Sequence, residues 1–156
     1  MSEFRPAKRL RGIEKSMIRQ LFDRALPDSI NLGLGEPDLQ TPEIIRDAAA
    51  RIVKEEQNGY TSHAGLPALR ERIAADYPYT QARPERVIIT AGSQEALYLA
   101  LMTLVDEGDE VLLPDPGFVA YPTIVRMAGG HPVFYRLPSA QDFSFDAEEF
   151  RSRLTK

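Results

Sequence analysis

From residue 86 onward, short β-branched or apolar runs alternate with helical stretches, and this alternation constrains the fold more than any other feature. Val87-Ile88-Ile89-Thr90 reads as a buried strand, followed by the Ala91-Gly92-Ser93 turn. Residues 94–105 are apolar nearly all round (Ala96, Leu97, Leu99, Ala100, Leu101, Met102, Leu104, Val105), which predicts a deeply packed helix ended by Gly108. Val111-Leu112-Leu113 is a second strand. A helix over about 119–128 follows, then Gly129-Gly130 and a third strand, Val133-Phe134-Tyr135. Successive strands separated by helices need crossover connections. The order therefore predicts an α/β fold with a mainly parallel sheet.

The first 45 residues add little to such a sheet and read as an arm with a piece of another domain; residues 46–156 read as the first part of a larger sheet domain. Ile13, Met17, Ile18, Leu21, Phe22 and Ala25 fall at helical spacing, with Pro27 as the stop. Thr41-Pro42-Glu43 starts a second helix, whose apolar face is Ile44, Ile45, Ala48, Ala49, Ile52 and Val53 and whose end is Asn58-Gly59. A third begins near Pro67 and runs to about Asp76, with Leu69 and Ile73 facing inward. Asp146-Ala147-Glu148-Glu149 opens a last helix with a side-chain cap.

Composition narrows the function classes. A formal net charge of -4 disfavours a nucleic-acid protein. No apolar run is long enough for a bilayer and the start lacks a signal-peptide core, so the expected location is cytoplasmic. The absence of cysteine excludes disulfides and thiolate sites. His63 and His131 have no partner at ligand spacing, so no metal is expected.

Three segments could carry chemistry. Thr90-Ala91-Gly92-Ser93-Gln94 passes from strand to helix through a glycine turn, and amides at a helix start bind phosphate. The same turn also reads as an ordinary connection with Ser93 as N-cap. It is neither a G-x-G-x-x-G fingerprint nor a P-loop. Asp115-Pro116-Gly117-Phe118-Val119-Ala120-Tyr121-Pro122 lies at the carboxyl end of the second strand, where open α/β sheets bind ligands. Phe118 and Tyr121 there could stack on a flat cofactor or merely fill core. Gly33-Leu34-Gly35 would let backbone approach a ligand, or form a simple turn.

Taken together, four segments in order resemble class I/II aminotransferases of the pyridoxal-phosphate (PLP) fold type I. They are Asn31 to Asp38, Gly59-Tyr60 with Gly65-Leu66-Pro67-Ala68-Leu69-Arg70, Thr90 to Leu97, and Gly108 through Tyr121-Pro122. The resemblance runs from about Ile13 to Pro138. It implies an enzyme that moves an amino group from an amino acid to a 2-oxo acid, with pyridoxal 5'-phosphate as cofactor and a homodimer as the assembly. It implies that Gly92, Ser93 and Gln94 hold the PLP phosphate and that Phe118 stacks on the pyridine ring. Tyr60 would reach the neighbouring subunit's phosphate. Gly35 would lie against the substrate carboxylate, with Tyr121 lining the same pocket. It also implies a cis Asp115–Pro116 bond.

The family's Schiff-base lysine, its pyridine-nitrogen aspartate and its carboxylate-binding arginine have no position here. Lys8, Lys15, Lys54 and Lys156 lie outside the lysine's usual context. The resemblance therefore implies an amino-terminal portion with no catalytic residue of its own, inactive alone. A fold-type-I PLP lyase and a non-catalytic aminotransferase-like binding module share this region of the fold and stay open as alternatives.

Overall fold

A computed structural model describes residues 5–26, 28–30, 32, 35–55 and 59–155, and for Met17 the backbone alone. The chain divides into two compact units, residues 1–33 with 92–156 and residues 34–91.

The first unit is built on two parallel strands, β1 (Glu110–Asp115) and β2 (His131–Arg136), paired in register from Glu110 opposite His131 to Asp115 opposite Arg136. Parallel strands cannot be joined by a tight hairpin. The connection here is the helix α5 (Tyr121–Met127), whose Ile124 and Val125 are buried, as is Leu113 of β1. Short bonds close the ladder at both ends: the His131 amide donates to the Asp109 carbonyl at 2.7 Å and the Leu137 amide to that of Asp115 at 2.7 Å. Two further helices belong to this unit, α1 (Met17–Asp23) and α4 (Ser93–Leu104). A sixth, α6 (Ala147–Ser152), begins as the sequence predicts, with the Asp146 carboxylate accepting from the amides of Glu148 and Glu149 at 2.8 and 3.3 Å. Its Phe150 meets Tyr135 of β2 edge-on at 5.2 Å between ring centres, and Phe145 packs against both. Such pairs add about 0.5–1.5 kcal/mol each beyond the area they bury.

The second unit holds α2 (Glu43–Glu55) and α3 (Pro67–Asp76), with short 3-10 turns at Pro78–Thr80 and Pro84–Arg86. Its core is small: Ala74 and Val87 are its buried apolar residues. On α3 the buried side chain is Ala74, Ile73 is half-buried, and Leu69 remains exposed.

The parallel α/β character is as the alternation predicts, but four local readings change. Val87-Ile88-Ile89-Thr90 is not a ladder strand. Val87 is buried as a strand residue would be, yet its carbonyl accepts from the Arg70 guanidinium, and the Ile89 amide donates to Ala64. Side-chain and loop partners take the bonds that a neighbouring strand would supply. The helix predicted over 119–128 starts later, at Tyr121, because Phe118–Ala120 forms a turn in which the Tyr121 amide bonds the Phe118 carbonyl. Finally, α4 is not deeply packed: none of its residues is buried, Leu97 and Leu101 are half-buried, and Leu104 is 78% exposed. Among the described residues its unit supplies two strands, too narrow a sheet to cover a helix that is apolar all round. The helix expected over 13–25 is confined to Met17–Asp23, with Ser16 capping it. Pro27, Asn31, Gly33, Leu34 and Asn58, which enter the readings above, lie outside the described residues. Among the described residues no helix is long and apolar enough to cross a membrane.

Candidate functional site

The start of α4 is shaped by Gly92, its N-cap, at φ 84 and ψ 169. Only glycine adopts this region without strain, because a Cβ would collide with its own backbone. Ser93 is thus the first helical residue rather than the cap. Ser93 and Gln94 are both exposed. The first-turn amides of an α-helix have no acceptor within the helix, and the helix dipole adds positive potential there. Glu95 in the same turn places a carboxylate near that end.

In the same unit, the loop at the carboxyl end of β1 carries the aromatic pair. The Asp115–Pro116 peptide is cis. Phe118 and Tyr121 meet edge-to-face, ring centres 5.4 Å apart and planes at 80°. Phe118 is 48% exposed while Tyr121 is half-buried at the start of α5. The edge of one ring is satisfied by the other, and the first ring keeps open surface for stacking. A hollow of about 110 Å³ lies beside them, lined by Leu113, Val119, Pro122 and Phe134 among others.

Tyr60 and Gly35 belong to the second unit. Tyr60 is fully exposed and borders a shallow groove with Thr61, Ser62, His63, Leu66, Leu69 and Ile89. Gly35 is exposed, and a Cβ there would meet nothing within 4 Å. Its glycine therefore answers no steric demand among the described residues. The structure brings Phe118 and Tyr121 together and places Gly92, Ser93 and Gln94 in the same unit.

Arg70, which sequence reasoning gave no role, spans two backbone carbonyls: Nε donates to Val87 at 2.8 Å and Nη2 to Pro84 at 2.7 Å. An arginine on a helix flanked by charged residues reads as a solvated cation. Nothing in the spacing reveals carbonyl acceptors 14 and 17 residues away.

The comparisons with known proteins bear on this arrangement. The family described as aminotransferase class I and II matches residues 27–156. This chain belongs to that family. It is similar to the aspartate aminotransferase of Pyrococcus horikoshii, at 41% identity over 155 residues, covering 96% of this chain and 40% of that one. A probable aspartate aminotransferase of Methanocaldococcus jannaschii is 39% identical over 153 residues, with the same coverage. Among solved structures, a Thermus thermophilus aspartate aminotransferase double mutant superposes with a TM-score of 0.90 at 31% identity, over 98% of this chain and 42% of that one. An alanine aminotransferase from Pyrococcus furiosus superposes at 0.83 with 33% identity, over 97% of this chain and 41% of that one. The chain thus spans 40% of the length of these curated relatives. Its fold is that of the amino-terminal portion of a fold-type-I aminotransferase, a family whose members use pyridoxal phosphate.

Proposed function

We propose that this chain supplies the cofactor-phosphate and ring-stacking part of a PLP-dependent aminotransferase. The enzyme would move an amino group from an amino acid to a 2-oxo acid and work as a cytoplasmic homodimer. The single observation that carries the reading is the turn at Gly92, where a glycine-only backbone opens a helix onto two exposed hydrogen-bonding residues, Ser93 and Gln94. The residues present fit PLP: a first helical turn suits a phosphate dianion, and the uncovered face of Phe118 suits a pyridine ring.

When bound, PLP supplies the electron sink that the reaction needs. The work of this chain is to hold it. Ser93 would donate its hydroxyl and the amides of Ser93 and Gln94 their hydrogens to the phosphate. Phe118 would fix the ring plane, held by its edge contact with Tyr121. Tyr60, on its exposed loop, would donate to the phosphate in the neighbouring subunit, so the site would be complete only in the dimer. Gly35 would let a substrate carboxylate approach backbone closely, and Tyr121 would contact the substrate. None of the four lysines here is proposed as the covalent anchor.

The test uses the dimeric enzyme. With an amino-acid panel led by aspartate and a 2-oxo acid acceptor, the reading expects equal amounts of new amino acid and new 2-oxo acid. Borohydride reduction and peptide mapping should place the adduct outside Lys8, Lys15, Lys54 and Lys156. Elimination products without amino transfer would favour a lyase, and bound PLP without turnover a non-catalytic module.

A further inference from the structure

The loop that carries Tyr60 is held by a lock within the second unit, and its key is a side chain to which no role has been assigned. Arg70, half-buried on α3, bonds the carbonyls of Pro84 and Val87 with two of its nitrogens. This pins Val87, at the start of the extended segment 87–90, against the helix. Two residues further along, the Ile89 amide donates to the Ala64 carbonyl at 3.0 Å, so the pinned segment in turn holds the 60–65 loop. The Ile89 side chain sits over Gly65 so closely that a Cβ there would overlap Ile89 Cγ1. Gly65 also has φ +101, which disfavours any other residue. Within the loop, Ser62 Oγ donates to the Gly65 carbonyl at 2.6 Å and the Gly65 amide to the Ser62 carbonyl at 2.9 Å. Tyr60 stands at the start of this braced turn, fully exposed and sharing a groove wall with Ile89.

We propose that Arg70 is a positioning residue: through the 84–89 segment it fixes the loop from which Tyr60 reaches the cofactor phosphate. A fully exposed tyrosine has little packing of its own to set its direction, so its aim must come from the backbone beneath it. The guanidinium is suited to this because its rigid fork of donors can hold two carbonyls at once, which an ammonium on a flexible stem does poorly. The proposal rests on the reading of Tyr60 as a phosphate contact.

A double-mutant cycle on the PLP-loaded enzyme separates the two. The readouts are the rate of PLP release after dilution, followed by absorbance, and the exchange rate of the Ile89 amide. Arg70→Lys and the milder Arg70→Gln should each speed PLP release by about tenfold and expose the Ile89 amide, while Tyr60→Phe alone speeds release comparably. In the Tyr60→Phe background the Arg70 changes should add little further release, because the contact they aim is already gone. Thermal stability should fall additively in the same variants. If Tyr60→Phe weakens PLP retention but the Arg70 effects multiply with it, Arg70 is only structural and the proposal fails alone. If Tyr60→Phe leaves release unchanged, the reading of Tyr60 fails and takes the proposal with it. Loss of cooperative folding in both Arg70 variants would mark a general scaffold role and also overturn it.

Discussion

Gly92 and Gly35 are both glycines on exposed backbone, yet the physics at the two positions differs. Gly92 sits at φ 84 and ψ 169, a region closed to side-chain-bearing residues at a cost of about 1–3 kcal/mol. Gly92→Ala should therefore lower the urea-unfolding free energy by about that amount and weaken PLP binding with it, since the helix start must rebuild to relieve the strain. An alanine at 92 with unchanged stability would mean that the turn relaxes and that the glycine is not structural. At Gly35 an added methyl meets open space. Gly35→Ala should change stability by less than about 0.5 kcal/mol. If the position does meet a substrate carboxylate in the assembled enzyme, the same change should raise KM for the amino acid. Phe118→Ala belongs to the same scale. It removes the open ring face but leaves α5 intact, so PLP affinity should fall about 2- to 10-fold, the equivalent of a stacking contact, with little change in unfolding.

At the level of elements, charge holds α6 to β2. Glu149 accepts from Arg153 at 3.1 and 3.0 Å and from the Arg136 amide at 3.4 Å. The Arg153 contact first, and the Arg136 amide second, hold its carboxyl below the ordinary value of 4.5. A depressed pKa means that this stabilisation is present above pH 4.5 and is lost as pH falls through the folded value. Acidification below that point should loosen α6, visible as loss of the Tyr135–Phe150 ring contact by NMR, and Glu149→Gln should flatten that pH dependence. Equal acid sensitivity in wild type and Glu149→Gln would remove Glu149 as the cause. The two ends of this pairing differ in how well the sequence announces them. The Asp146 cap is local and legible, because a carboxylate two and three residues before its amide partners is a short-range pattern. The Glu149–Arg136 bond spans 13 residues and leaves no periodic trace. The same distinction separates the rest of the fold. The helix at Pro67 and the β1–α5–β2 alternation are written in caps and periods. The missing ladder at 87–90 is not, because whether a β-branched run pairs depends on what lies beside it. In the candidate site, the turn at Gly92 and the ring of Phe118 were readable as residue types, and the role proposed for Phe118 comes through family resemblance. The carbonyl grip of Arg70 was not readable at all, since its partners are fixed by tertiary folding.

For the whole molecule, the decisive quantity is apolar surface left uncovered. On α4, Leu99, Met102 and Leu104 are exposed, and the two-stranded sheet has an outer edge on each side among the described residues. Helices apolar on all faces are stable when covered, and unpaired strand edges recruit further strands. Each large side chain returned to cover recovers about 1.5–3 kcal/mol, so two or three such residues meeting a second copy offset much of the entropy lost on association. The 156-residue chain by itself should therefore associate rather than stay a 17.5 kDa monomer, with sedimentation velocity showing larger species that grow with concentration. Leu99→Lys combined with Leu104→Lys should shift the population toward monomer, because burying two ammonium groups in an apolar contact is costly. The absence of cysteine in the sequence allows a direct view of the surface. A Leu104→Cys variant carries a single thiol at an open position, so its modification rate should be near that of a free thiol in dilute solution and should slow as the chain associates. A rate independent of concentration, with larger species still present, would place the contact elsewhere, on the strand edges. A monomer at every concentration would show that the exposed face of α4 is tolerated as it stands.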